Sequence, residues 1–256
     1  MFNSIFTNSF AENFSELLIT LLAVLIALTL HEFAHGLAAY KLGDNTAKYM
    51  GRLSLNPMHH LDPLGALCMI FFHFGWAKPV PINPNNFRKP KRDFAITALA
   101  GPLTNIIIGF ISGFFYILFA NIFYQYGANS QIAFIYNSLM YLAEFFAVFF
   151  SGNIGLGIFN LIPIPPFDGS RILNVILPQR IYFKIMRYER RIYLFFVGWL
   201  LLGPWVYRAL MSLSFVASNP VLSGISRVFS LSGLISDAAS AIIRVIIDFW
   251  LLLPIF

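Results

Sequence analysis

Two short stretches carry residue types that can do chemistry together. His31, Glu32, Phe33, Ala34 and His35 form an H-E-x-x-H pattern. On a helix, positions i and i+4 share one face, so both imidazoles can bind a single Zn²⁺ at about 2.0–2.1 Å. Glu32 then falls beside the metal, where its carboxylate can take a proton from activated water and later deliver it to a leaving amine. Two histidines leave a catalytic zinc short of a third protein ligand. The candidate is Asp168, near the end of N-L-I-P-I-P-P-F-D-G at residues 160–169. The prolines interrupt a helix there, and Gly169 lets the backbone turn or approach another group closely. An Asx turn beside a glycine is the competing reading of Asp168. Beside an incomplete H-E-x-x-H site, the ligand reading gains. The expectation is one Zn²⁺ per chain, on His31, His35 and Asp168.

The elements that must position these groups follow from composition. Of 256 residues, 58% are hydrophobic and 11% are charged, where a soluble domain carries about 25% charged residues. That charge cannot cover a water-soluble body, so the chain needs lipid as solvent. Apolar stretches long enough to span a bilayer run over about 14–40, 94–123 and 132–161. A fourth starts near residue 192 and meets Gly203-Pro204, which should kink or end it. A fifth covers about 239–256. Three ionisable residues within five positions of the first span would each cost about 2.5–3.5 kcal/mol on insertion scales. A bound cation offsets that cost.

Basic residues set the orientation. Of 17 Lys and Arg, eight lie in residues 41–92, six in 171–191 and none in 1–40 or 93–170. The two basic segments should be cytoplasmic and the N-terminus outside. His31, His35 and Asp168 then fall at similar depth, toward the cytoplasmic side of a cell (inner) membrane. A net charge of +6 that respects span boundaries reads as membrane sorting, and no nucleic-acid partner is expected. Residues 41–93 read as a small extended cap with edge-strand character. Within it, the apolar run 64–76 is too short for a comfortable span. The fold class expected is an all-α polytopic membrane protein of about five transmembrane helices, with a small extended/β cytoplasmic-side cap between spans one and two.

The motifs together resemble the site-2 protease family of intramembrane zinc metalloproteases, in its compact bacterial form without PDZ or CBS-type modules. The resemblance rests on H-E-F-A-H at 31–35 and N-L-I-P-I-P-P-F-D-G at 160–169. It also rests on A-G-P-L-T-N at 100–105, N-P-M-H-H-L-D-P-L-G at 56–65 and G-W-A-K-P-V-P-I-N-P at 75–84. It covers about residues 20–175. Phe167 stands where the family more often has leucine. The resemblance implies His31, His35 and Asp168 as zinc ligands and Glu32 as the acid/base. It also implies a single membrane-embedded protease domain over 1–256, with a catalytic core at about 14–175 and C-terminal helices at about 182–256. The partners implied are a transmembrane protein or peptide substrate and the lipid bilayer.

Other polar residues divide less sharply. Asn160, near the metal, can donate to a developing oxyanion. Asn105 reads first as a helix–helix hydrogen bond. Gly152, Gly155 and Gly157 permit close helix approach or substrate access. His59 and His60 are adjacent and would point apart in extended chain, and His73 reads as interfacial packing. Cys68 reads as a small buried hydrophobe. A substrate helix must unwind to be cut, and pairing as a strand with residues 48–56 or 75–84 would hold it open. A metal transporter using the same His/Asp cluster is the alternative, with no need for Glu32. A non-catalytic scaffold would hold no zinc.

Overall fold

A computed structural model describes residues 10–72, 76–127, 132–226 and 231–253. Helix α1 covers Phe10–Lys41. It closes in a Schellman turn, with Gly43 N–H on the Tyr40 carbonyl (3.2 Å) and Asp44 N–H on the Ala39 carbonyl (2.9 Å). Gly43 makes this turn at φ +110°, a conformation that favours glycine. Short helices α2 (Thr46–Tyr49) and α3 (Pro63–Phe72) follow. Helix α4, Pro90–Ile122, starts with proline at its first position, and Asp93 Oδ2 accepts the Lys89 backbone N–H at 2.8 Å. Helix α5 is Ala133–Asn160. Beyond it lie α6 (Asp168–Ile176), α7 (Gln179–Arg187), α8 (Glu189–Met211), α9 (Ser214–Ser218), α10 (Pro220–Ser226) and α11 (Leu231–Leu251).

Helix α4 is the hub, packing against α1, α5 and α6. Glycine permits the close approach to α5: a Cβ on Gly109 would lie 2.8 Å from Ile154 Cγ1, and one on Gly157 would lie 3.0 Å from the Pro102 carbonyl. Phe150 and Ile154 of α5 pack with Ala239 and Ile246 of α11. The Trp250 indole donates to the Phe110 carbonyl at 2.9 Å, which ties α11 to α4. The outward faces stay apolar. Leu22, Ile107 and Ile111 are each about half exposed, as lipid-facing side chains would be.

Among the described residues, three helices are long and apolar enough to cross a membrane: Phe14–Lys41, Pro90–Gly127 and Ala133–Asn160. These match the first three expected spans. The fourth and fifth expected spans fall on α8 and α11, which are helical but not in that set, so the count of five stands as an expectation. Helix α8 does not end at Gly203-Pro204. A proline removes one backbone donor, and neighbouring residues can hold the turn around it.

The β character expected of the cap is corrected. Among the described residues there is no sheet, and one antiparallel bridge pairs Leu61 with Ala77. Two asparagines turn the chain within the cap. Asn56 Oδ1 accepts Met58 N–H at 3.0 Å and Asn83 Oδ1 accepts Asn85 N–H at 3.1 Å, each opening a 3-10 turn on a following proline. Pro57, Pro63, Pro79, Pro81 and Pro84 have no N–H to give a ladder. The two expected substrate-pairing segments are tied to each other, because the Arg52 guanidinium donates to the carbonyls of Lys78 and Pro79. His73 and Gly75 lie outside the described residues, as does the Cys68 side chain.

Candidate metal centre

The structure brings His31, His35 and Asp168 together. Nε2 of His31 and Nε2 of His35 are 3.0 Å apart. Asp168 Oδ2 lies 3.1 Å from the first and 3.2 Å from the second. Four donors arranged tetrahedrally at 2.0–2.1 Å from a zinc ion stand about 3.3–3.4 Å from one another. The observed triangle falls within a few tenths of an ångström of that requirement.

Hydrogen bonding fixes which atoms face inward. His35 Nδ1 is 2.7 Å from the Thr97 carbonyl oxygen, which only accepts, so Nδ1 carries a proton and, in the neutral ring that a metal requires, Nε2 presents its lone pair. His31 Nδ1 meets Asn105 Oδ1 at 2.5 Å, with the same consequence. Asp168 Oδ2 is buried without a hydrogen-bond partner. Three lone pairs thus converge on one point, an arrangement that a cation relieves. A metal ligand must be ionised, and a cation held at this point would offset the cost of burying the Asp168 carboxylate. The residues present fit zinc: two neutral imidazoles and one carboxylate, each imidazole oriented by an outer partner.

Helix α4 builds the wall behind the imidazoles. Thr97, Gly101 and Asn105 are spaced by four and line one face of α4, opposite His35 and His31 on α1. The pairing is antiparallel: Thr97 meets His35, Asn105 meets His31, and Gly101 lies between. A Cβ on Gly101 would overlap His35 Nε2 and lie 2.6–2.7 Å from the Cε1 atoms of both rings. Asn105 is fully buried. Its Nδ2 donates to Asn153 Oδ1 at 2.7 Å, and Asn153 Nδ2 donates to the Phe149 carbonyl at 2.8 Å. So Asn105 makes the expected helix–helix hydrogen bond and also orients the His31 ring, which sequence reasoning missed. The four-residue spacing was the available signal.

Asp168 is the first residue of α6, directly after the proline-rich break. Gly169 is required at that turn, because a Cβ there would overlap the carbonyls of Leu161 and Ile162. Glu32 and Asn160 line one cavity of about 820 Å³ together with His31 and Asp168. Glu32 Oε2 accepts the Val80 N–H at 2.9 Å. Asn160 Nδ2 donates to the Leu156 carbonyl of its own helix at 3.1 Å. A second cavity of about 370 Å³ is lined by Glu32, His35 and Asp168 together with Pro79 and Val80. The larger cavity carries charge at its edge, where Arg171 of α6 pairs with Glu189 of α8 at 2.7 Å. His60, buried, bonds the Ser54 carbonyl through Nε2 at 2.7 Å and belongs to the cap. Gly152 and Gly155 have nothing within 4 Å of an added Cβ, so neither marks a close approach.

Comparison with known proteins bears on this geometry. YwhC of Bacillus subtilis is 41% identical over 161 residues, covering 63% of this chain and 70% of YwhC. Rip2 of Mycolicibacterium smegmatis is 28% identical over 163 residues, covering 57% of this chain and 52% of Rip2. Both are named as zinc metalloproteases, an assigned rather than a demonstrated activity. No solved structure matches the chain. The sequence pattern of Peptidase family M50 matches residues 19–203, a span that takes in α4 and every residue of the donor triangle. On that match, which spans most of its length, the chain belongs to Peptidase family M50 and is a metalloprotease.

Proposed function

We propose that this zinc metalloprotease hydrolyses peptide bonds of transmembrane proteins within or beside the bilayer, near its cytoplasmic face. His31, His35 and Asp168 hold the zinc. The observation that carries the reading is the triangle of two imidazole nitrogens and a carboxylate oxygen within 3.2 Å of one another, its two histidines on a helix apolar enough to cross a membrane. Zinc bound there supplies a Lewis acid that polarises the scissile carbonyl and brings the pKa of water toward neutrality.

The chain's own groups do the rest. Glu32, next to His31 in sequence and on the same cavity, takes the proton from the attacking water at its carboxylate. It passes that proton to the amine nitrogen as the C–N bond breaks. Asn160, which lines the same cavity, turns its amide from Leu156 to the oxygen on which negative charge develops. The cavities of about 820 and 370 Å³ flanking Glu32 and Asp168 admit water to a site otherwise walled by apolar helices. The distribution of Lys and Arg supports a cytoplasmic position for the cap and an external N-terminus in a cell membrane.

Glu32→Gln tests the reading, using a purified model transmembrane substrate in vesicles. The expected result is zinc retained at one per chain with cleavage lost. Cleavage at the wild-type rate would refute the assignment. Metal transport, which makes no use of Glu32, would survive this substitution, so zinc flux in the same vesicles separates the two.

A further inference from the structure

Residues 76–83 form an extended strap over the site, held at both ends by buried groups. At one end the Arg52 guanidinium, itself buried, donates to the carbonyls of Lys78 and Pro79. At the other, the fully buried Asp44 accepts Asn83 N–H at 2.7 Å and the Asn86 side-chain amide at 2.8 Å. Between these anchors the Val80 N–H donates to Glu32 Oε2. Pro79 and Pro81 flank Val80 and have no N–H, so the strap offers Glu32 one donor at this point. The Val80 side chain is buried against α1, near Gly36.

A glutamate has three side-chain torsions, and an unanchored carboxylate beside a metal centre would sample many positions. One fixed hydrogen bond to Oε2 selects a position and leaves Oε1 for water. Glu32 borders both cavities, so this choice decides which water it meets. We propose that the Val80 peptide N–H is a positioning group for Glu32, and that Asp44 and Arg52 are positioning residues acting through the strap. None of the three touches the zinc donors. The inference rests on Glu32 being the acid/base.

The test removes one hydrogen. Val80→Pro deletes the N–H in a segment whose neighbours are already proline, and Val80→Ala removes the side chain but keeps the N–H. Steady-state cleavage and zinc content are measured on the full-length protein in vesicles. The expected result is a kcat for Val80→Pro about 10–100-fold below that of Val80→Ala, the range seen for outer partners of metal-site groups. KM should agree within about twofold, and zinc should stay at one per chain. Equal kcat for the two variants overturns the inference. If Val80→Pro fails to hold zinc, Asp44→Asn decides: lowered kcat at full zinc content supports the strap, and wild-type kcat overturns it. Glu32→Gln keeps the levels apart. If it still cleaves, the acid/base assignment falls. If it is inactive while Val80→Pro and Val80→Ala agree, only the strap's role falls.

Discussion

Gly101→Ala should disable the metal centre while leaving the helix that carries it intact. The added methyl would lie 2.6 Å from His35 Cε1 and 2.7 Å from His31 Cε1, and would overlap His35 Nε2. Ordinary carbon contacts begin near 3.4 Å, so the rings must retreat by about 0.7–0.8 Å, or α4 must move away from α1. Metal sites tolerate about ±0.2 Å in ligand distance. The displacement is several times that tolerance, and it strikes both imidazoles at once. Zinc affinity should fall by about 10–100-fold, or about 1.4–2.7 kcal/mol. The change also replaces glycine in a helix interior, which favours the helix by about 1 kcal/mol. Loss of zinc therefore cannot be charged to a weaker helix. The assay is chelator competition on purified protein, with circular dichroism as the fold check. Gly155→Ala, with nothing within 4 Å of its new methyl, should bind zinc as the wild type does. Wild-type zinc affinity in Gly101→Ala would refute the close packing of α4 on the two imidazoles.

Further outcomes follow from the same contacts. Asn105→Ala frees His31 to change tautomer and leaves Asn153 Oδ1 without its donor. Zinc affinity should drop about 10–100-fold in the same competition assay, and Asn105→Asp, which keeps an acceptor on His31 Nδ1, should recover much of it. Asp44→Asn should change how stability depends on pH. Burial pushes the Asp44 carboxyl up, but hydrogen bonds from Thr46, Asn86 and Asn83 outweigh it and leave the group lowered. A lowered folded-state pKa stabilises above the unfolded value of about 3.9 and is lost as pH falls through the folded value. The difference in melting temperature between wild type and Asp44→Asn in detergent should therefore be full near neutrality and shrink below about pH 4. A constant difference across that range would contradict the role given to the carboxylate. Trp250→Phe removes the indole donor to the Phe110 carbonyl and should cost about 1 kcal/mol, read as a lower unfolding midpoint with unchanged zinc content.

The candidate metal donors that the structure brings together were legible in the sequence because helical spacing is local physics. His31 and His35 share a face wherever a helix forms, and the run of apolar residues before them makes a helix certain. Asp168 was legible less directly, through a proline-rich break that needs a reason at that depth. The α4 wall was half visible. Thr97, Gly101 and Asn105 show their four-residue spacing, but nothing local says that this face meets α1. The cap was read as having edge-strand character because its prolines exclude helix and favour extended chain, but the same prolines have no N–H to give a ladder and the side chains of Asn56 and Asn83 turn the chain. The contact between Glu32 and Val80 spans 48 positions and depends on Arg52 and Asp44 both holding the strap, which no local pattern records.

X-ray absorption at the zinc edge of the purified protein tests the central claim most directly. Two imidazole nitrogens and at least one oxygen at about 2.0–2.1 Å are predicted, with the imidazole signal reduced in His35→Ala and the zinc largely lost in Asp168→Ala. A zinc spectrum without imidazole scattering, or one unchanged by both substitutions, would contradict the account.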